Sequence, residues 1–558
     1  MFKSFKTFLL NALKDTRKKR LILVSTFLSF ILSIAMIPTE LVLAKMLPGK
    51  NSDTFNIYID LPSGSSISQT KQVSECVVNL LHQEKEVLDI EVFLGMGSPL
   101  DFAGLIKGSH FKNAENLAEV VLNLSGKHHR KEPSYLMVQR LRPVIQSQCQ
   151  ALYKDTNIKF VEPPAGPPVL AAIVAEIYGN DAKGIRKLAQ EVEAIFKKTE
   201  GLVDIDIMQD ELYDFFEIRV DSVKIARSGL SVKQVNEILY LAFEGMEIAV
   251  KNSEVYDDQI PIFLTLSSET KNFYSKDLHA INTKLASLKL MNSKGMMVPL
   301  TEVVTLVPVQ SNPMIVSKNL HQMTNVMAET DMLSQVYPLL DARKMILDTL
   351  SQNYSISKIG LFNLELKNKQ SQKLYTLIWD GEMEVTLDTF VELGAAFIAA
   401  LVLIFLLMVV YYKSFKLSGI VLLGSFLSII GVIIGHFIMD IFTTDTFFLT
   451  ATSLIGFIAL IGISSRNTLL LLDFTKSLMF EKKFSQKEAI AHATATRAKP
   501  IFLTASAIIL ASTLLASDAV FGGLGVSLIF GTIAAVISSL VVVPVLMDAN
   551  DLSIAFTH

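Results

Sequence analysis

Apolar residues along this chain fall into long unbroken runs at its two ends and into short periodic patterns between them. The runs cover Leu21–Ile37, Phe390–Val410, Leu417–Ile438, Phe447–Leu472, Ile501–Leu515 and Leu524–Leu546. A helix crossing about 30 Å of hydrocarbon needs runs of this kind, so six transmembrane helices are expected, the fifth short unless it begins near Lys499. Between the first and second runs the pattern alternates between strand and helix periods. Thr54–Leu61 and Leu88–Gly95 read as strands around a helix from Ser66 to Leu81, and a second round follows with Leu117–Leu124, a helix over Ser134–Tyr153, and Ile158–Glu162. Two βαβ rounds predict a split, ferredoxin-like α+β unit.

A proline-rich break, Pro163–Pro168, marks a subdomain boundary. Beyond it come a strand over Ala172–Gly179, a helix over Asp181–Lys198 and strands over Val203–Met208 and Phe216–Asp221. The pattern loosens between Asp221 and Val309 and resumes with a strand after Met314 and a helix over Val336–Leu350, which predicts one βαβ unit carrying an insertion. Residues 367–389 read as a polar stretch and an amphipathic approach to the second membrane run. Phe5, Phe8, Leu9 and Leu13, set among basic residues, predict a helix lying in the membrane interface over residues 1–20.

With 558 residues, 50% of them hydrophobic, and a mean hydropathy of +0.41, the chain is part membrane and part water-soluble. A formal net charge of -3 without a basic stripe argues against nucleic acid as a partner. Lysines and arginines cluster at 14–20, at Lys413 and Lys416, and at 476–499, while the opposite loops at 439–446 and 517–521 contain acids and no basic residue. The positive-inside rule then puts both termini in the cytoplasm and the large domain, from 44 to about 386, on the far side. Cys76 and Cys149 exclude a disulfide framework. They could pair in an oxidising compartment, but two buried free thiols is the expectation. Met296 and Met297 lack a third soft ligand, so no metal site is expected there. No nucleophile, metal cluster or phosphate loop stands at a catalytic spacing, and an enzyme is not expected.

Arg466, inside the fourth run, carries the most pointed chemistry. A cation at the bilayer centre costs about 2.5–3.5 kcal/mol on insertion scales and marks an ion path or a counter-charge. A guanidinium keeps its proton, so Arg466 holds a carboxylate ionised rather than carrying the proton itself. Read as buried, it stands among Ser464, Ser465, Asn467 and Thr468, whose polar groups can orient a charge; Thr504 lies in the next run. Asp473 follows on the same face, about 10 Å along the axis. Glu382, Glu384, Asp388, Glu392, Asp440 and Asp445 lie at the outer ends, so a second polypeptide is expected to supply the acid. Gly431 and Gly435 add a GxxxG helix-packing pattern in the third run.

Five passages together resemble the resistance-nodulation-division (RND) superfamily of efflux permeases, in their C-terminal half: 45–70, 162–179, 379–397, 450–474 and 497–531. The resemblance implies a trimeric, proton-driven pump of the bacterial inner membrane, of the hydrophobe/amphiphile or heavy-metal efflux type, powered by the proton-motive force without a cofactor. It would work with a periplasmic adaptor and an outer-membrane channel and sit among membrane lipids. By position, 44–161 resembles a first porter subdomain, 162–221 with 309–366 a second, and 222–308 a docking insertion. The membrane helices would be 21–43 and 390–546, followed by a cytoplasmic tail at 547–558. Arg466 falls where relatives place a basic residue of the proton relay, beside Asn467, and Arg497 and Thr504 match relay positions of the following helix; Ser464, Ser465 and Asp473 are secondary candidates. The aspartates that take up the proton belong to the family's other half, so the resemblance implies half a pump that needs an N-terminal-half RND subunit. Two other readings compete with it: a protein-export or assembly factor of the same superfamily, and a non-transporting split-gene remnant. Multidrug substrates are expected over metal ions.

Overall fold

The computed structural model describes every residue except 1, 100–101, 110–111, 164–165, 167–168, 257–258, 268–276, 332–333, 444–445, 551 and 553–558. The proline-rich break, Asp445 and the C-terminal tail therefore lie wholly or partly outside the described residues. The chain divides into two compact units, one of residues 1–209 with 315–558 and the other of residues 210–314.

In the first unit, β1 (Thr54–Asp60), β2 (Val87–Met96), β3 (Asn113–Leu124) and β4 (Asn157–Val161) form an antiparallel sheet in the order β2-β3-β1-β4. Helices Ile67–Leu81 and Ser134–Cys149 connect β1 to β2 and β3 to β4, giving a split βαββαβ arrangement. Strand alternation sorts the faces of β1. Phe55, Ile57 and Ile59 are fully buried against Val73, Val77, Met137 and Ile145 of the two helices, while Asn56, Tyr58 and Asp60 take the opposite face.

A second sheet opens with β5 (Ile173–Gly179) and β6 (Leu202–Ile207), joined by helix Ala182–Phe196. The inserted unit then contains β7 (Asp214–Val220), β8 (Met246–Lys251), β9 (Ile260–Leu264), β10 (Lys289–Met291), β11 (Met297–Pro299) and β12 (Val304–Gln310). They pair as three two-stranded ribbons, β7 with β12, β8 with β9 and β10 with β11. The second sheet resumes with β13 (Val316–Lys318), β14 (His321–Thr330), β15 (Tyr354–Ile359), β16 (Asn363–Asn368) and β17 (Leu374–Asp380), in the order β13-β14-β5-β17-β16-β15 with β6 also on β14.

Two readings of the sequence change here. Phe216–Asp221 does not join the second sheet: β7 pairs along its whole length with β12 and belongs to the insertion. Residues 367–389 are no polar approach either, because β17 is a central strand paired with both β5 and β16. Its inward residues Tyr375, Leu377 and Trp379 are buried, with Trp379 stacked on Phe196 at 6.2 Å and donating Nε1–H to the Phe362 carbonyl at 3.1 Å. Alternation with Thr376 and Asp380 disguised a half-buried strand as a polar segment.

Among the described residues, five helices are long and apolar enough to cross a membrane: Glu382–Tyr412, Phe415–Phe442, Ala451–Phe480, Gln486–Ala516 and Gly522–Asp548. They are called the second to sixth bundle helices below. The first, Thr16–Ala35, has 20 residues but begins on Arg17, Lys18, Lys19 and Arg20, and it stands outside those five. The third breaks at Leu427 into two segments, and the sixth contains a π-helical turn at Ser538–Val542. Gly431 and Gly435 let the third helix lie against the sixth: a Cβ at either position would fall 2.3 Å from the Phe530 carbonyl oxygen or 2.5 Å from its side chain. The N-terminal helix Phe2–Lys14 buries Leu9 and Leu13 against bundle residues such as Leu417 and Leu471, leaving Phe8 exposed. Lys19 pairs with the buried Asp548 at 2.8 Å.

Cys76 and Cys149 form a disulfide between the two helices of the first sheet. The expectation of two free thiols is thus corrected; the sulfurs sit on adjacent helix faces that pack over one core. A loop with a sequence separation of 73 is closed by this bond, for which chain entropy gives about 4 kcal/mol. Unreduced, denatured protein is therefore expected to bind no maleimide, and reduction should expose two thiols and lower the melting temperature of the soluble domain. Two reactive thiols before reduction would contradict the bond.

Candidate functional site

Helical geometry decides what surrounds Arg466. It lies mid-way along the fourth helix, about 20 Å from either end at 1.5 Å per residue. Ser464 and Thr468 are two residues to either side, so both point about 200° away from it around the axis. They are fully buried, whereas Arg466 is exposed on the outer face of the bundle. The reading of Arg466 as buried among hydroxyl groups is thereby corrected: the inward face took the small polar residues and the outward face took the cation. Among the described residues Arg466 has no ion pair.

The inward polar groups knit the bundle together. Ser464 Oγ donates to the Gly424 carbonyl at 3.4 Å, and Ser538 Oγ, from the π-helical turn of the sixth helix, donates to the same oxygen at 3.0 Å. A Cβ at Gly424 would lie 2.7 Å from Val543 Cγ2 and 3.3 Å from Thr468 Oγ1, so glycine is what allows three helices to meet here. Thr468 Oγ1, Ser527 Oγ, Thr532 Oγ1 and Ser539 Oγ are buried without a hydrogen-bond partner among the described residues. Asn467 is buried beside this knot.

The remaining candidates have partners other than Arg466. Ser465 Oγ donates back to the Gly462 carbonyl at 3.1 Å, and Thr504, exposed on the fifth helix, donates to Pro500 and Ile501 carbonyls at 3.1 and 3.0 Å. Back-bonding of this kind is the ordinary fate of a hydroxyl in an apolar helix. Arg497 lies over the Phe474 ring at 5.1 Å, two turns along the fourth helix from Arg466. Asp473 accepts from the Tyr412 hydroxyl at 2.9 Å and the Tyr411 hydroxyl at 3.4 Å, so tyrosines of the second helix hold it rather than an arginine.

One intramembrane group was missed in the sequence. His436, fully buried in the third helix, places Nδ1 2.8 Å from the Val432 carbonyl and Nε2 2.8 Å from Ser453 Oγ. A carbonyl only accepts, so Nδ1 carries the proton and Nε2 accepts from Ser453: the contacts fit a neutral ring with both nitrogens satisfied. A lone histidine inside an otherwise apolar run was the available signal. An apolar cleft of about 510 Å³ lies among the first four helices, lined by Ile34, Ile37, Phe390, Phe397, Ile433 and Phe457 among others.

The family profile described as AcrB/AcrD/AcrF family matches residues 3–548. Swarming motility protein SwrC of Bacillus subtilis is 21% identical over 526 residues, covering 92% of this chain and 44% of SwrC. Cobalt-zinc-cadmium resistance protein CzcA of Cupriavidus metallidurans is 23% identical over 355 residues, covering 62% of this chain and 30% of CzcA. Multidrug resistance protein MdtC of Proteus mirabilis is 20% identical over 390 residues, covering 70% and 34%. A crystal structure of a heavy metal efflux pump superposes with a TM-score of 0.71 at 18% identity, over 99% of this chain and 52% of that one. The chain thus spans about half the length of that pump and less than half of these three curated relatives.

Close helix contact at Gly435 predicts a sharp response to added volume. Gly435→Val should force the third helix from Phe530 and lower the unfolding free energy by about 1–3 kcal/mol. Thermal unfolding of the detergent-solubilised chain reads the effect, and an unchanged melting temperature would contradict the packing described.

Proposed function

The chain belongs to the AcrB/AcrD/AcrF family, the RND efflux transporters, and from that premise we propose that it is a half-size, C-terminal-type part of a proton-coupled pump exporting small molecules. Arg466 carries this reading. A permanently charged group half-way along an apolar helix, turned outward, needs a carboxylate at the same depth. A second six-helix half, packed against the outer faces of the fourth and fifth helices, would bring its membrane aspartates to that position. Taking up a proton would neutralise a carboxylate and release Arg466; losing it would restore the pair. Asn467, buried beside the Ser464–Gly424–Ser538 knot, would fix the helix that holds the arginine, while Arg497 and Thr504 would serve the cytoplasmic side of the same path.

In this reading Thr16–Ala35 crosses the membrane as well, as the first of six spans, and both termini are cytoplasmic. The two sheets are ferredoxin-like porter subdomains in the periplasm, and residues 210–314 are a docking insertion for a trimer, an adaptor and an outer-membrane channel. The disulfide supports an oxidising compartment for the first sheet. Amphiphilic organic molecules are the preferred cargo class, because the 510 Å³ cleft at the membrane helices is apolar.

Arg466→Ala is expected to reduce efflux of a fluorescent amphiphile to background in cells producing both halves, with membrane abundance unchanged. Mild-detergent purification of the wild-type chain should bring down the second half. Full efflux by Arg466→Ala would overturn the relay role, and transport by the chain purified only with itself would overturn the two-half reading.

A further inference from the structure

Where the first sheet meets the bundle, the chain concentrates positive charge on a short loop. Lys127, His128, His129, Arg130 and Lys131 follow one another between β3 and the helix Ser134–Cys149. Arg130 anchors the loop. Its side chain is 0% exposed, and its Nη2 donates at 2.6 Å both to Asn51 Oδ1 and to the Ser52 carbonyl, while Nε and Nη1 have no partner among the described residues. Asp53 lies 3.6 Å from that guanidinium and accepts the Lys127 backbone N–H on Oδ1 at 2.7 Å. Glu132 is taken by Arg140 at 2.8 Å. With Arg130 held beneath them, Lys127, His128, His129 and Lys131 are exposed, and neither lysine has an ion pair among the described residues.

Hydrogen bonds tie this loop to one membrane end of the bundle. Lys45 N–H donates to the Leu449 carbonyl and Ala451 N–H to the Met46 carbonyl, each at 3.1 Å, so the segment that leads to Asn51 starts at the head of the fourth helix. From Met46 to Asn51 a fully extended chain spans at most about 18 Å. The same helix head reaches the turn between the fifth and sixth helices, where Thr452 Oγ1 donates to the Val520 carbonyl at 3.1 Å. On that turn Asp518 Oδ1 accepts from the Phe521 and Val520 N–H groups at 2.7 and 2.8 Å. Those two bonds, and after them the nearby charge of Lys127, hold the Asp518 carboxyl below the ordinary carboxylate range. Phe521 of the turn and Leu514, in the last turn of the fifth helix, are 47% and 82% exposed.

We propose that the loop Lys127–Lys131 is a docking surface for anionic phospholipid headgroups, whose phosphates meet Lys127 and Lys131 while their acyl chains lie along the bundle below the Asp518 turn. Basic side chains set over exposed apolar ones match a phospholipid in both of its parts, whereas a free phosphate has no use for Phe521 or Leu514. The acids facing the loop, Asp53 and Asp518, both commit Oδ1 to backbone N–H groups. The inference needs only that the bundle lies in a membrane, and it is independent of the cargo and of a second half.

A bimane fluorophore on Gly126→Cys reads the lipid beside the loop in the full chain. A Cβ there meets nothing nearer than His129 Cδ2 at 3.7 Å, and the native cysteines are bonded to each other, so the new thiol alone takes the label. The labelled chain is placed in phosphatidylcholine nanodiscs carrying a small, fixed fraction of nitroxide lipid, either phosphatidylglycerol or phosphatidylcholine labelled at the same acyl position. Quenching is expected to be several-fold stronger with the phosphatidylglycerol. Each basic side chain near an anionic surface favours it about fivefold, so Lys127→Glu combined with Lys131→Glu should bring the two lipids to equal quenching. The same reversal at Lys71 and Lys187, whose side chains are 61% and 70% exposed, should keep the preference. Equal quenching in the unreversed chain, a preference that survives reversal of Lys127 and Lys131, or one lost on reversal of Lys71 and Lys187 would overturn the proposal. So would inorganic phosphate that removes the preference at constant ionic strength, since it would assign the loop to a soluble anion.

Discussion

A guanidinium keeps its charge at every pH a protein meets, and in hydrocarbon that charge has to be answered by an anion or by water. Arg466 imposes this condition at the middle of the fourth bundle helix, where neither end of the helix is within reach of its side chain. The helix answers by segregation. Small residues at Ser464 and Thr468 turn inward to a glycine at Gly424, which draws the third, fourth and sixth helices together, and the cation is left on the outside. The packed interior and the unanswered exterior are two sides of one helix, so the same sequence that closes the bundle also turns its charge outward.

The soluble part meets a comparable condition by different means. Two antiparallel sheets bring their edge strands β4 and β6 face to face, and open edges tend to pair into continuous sheet. Lys159, Asp204 and Asp206 occupy that gap with charge, so the edges are held near one another without merging. Side-chain bridges of this sort can be broken and remade, whereas a backbone ladder would have welded the sheets into one body. Within the first sheet the opposite choice was made: the disulfide from Cys76 to Cys149 ties its two helices to each other covalently.

Much of the architecture was legible because it rests on periodicity. The βαβ rounds before Val161 and the apolar helices after Phe390 declared themselves through runs with periods of 2 and 3.6 or through sheer length. What periodicity does not carry is pairing. β7 and β17 each read correctly or plausibly as local segments, yet their partners, β12 and β5, are remote in sequence, and only pairing assigns them to a unit. The disulfide is the same kind of fact, since a spacing of 73 residues says nothing about which helix faces meet. In the site, Arg466 was legible as a charge in the wrong solvent, but its direction was not: neighbours in sequence at i±2 were taken for neighbours in space, and a helix places them on opposite faces.

His436 and Arg466 show why one intramembrane cation-forming residue invites a functional reading and the other does not. Histidine can enter an apolar bundle as a neutral ring, and here Val432 and Ser453 satisfy its donor and its acceptor within the chain. Its burial is accounted for by local geometry, and it fastens the third helix to the start of the fourth. Arginine has no neutral form to adopt, and no rearrangement of this bundle's own described hydroxyls supplies a negative charge. A group whose cost the fold has already met is structural; one whose cost the fold leaves standing points beyond the fold. By that criterion the outward face around Arg466, and not the histidine, is where the fold leaves a charge unanswered among the described residues.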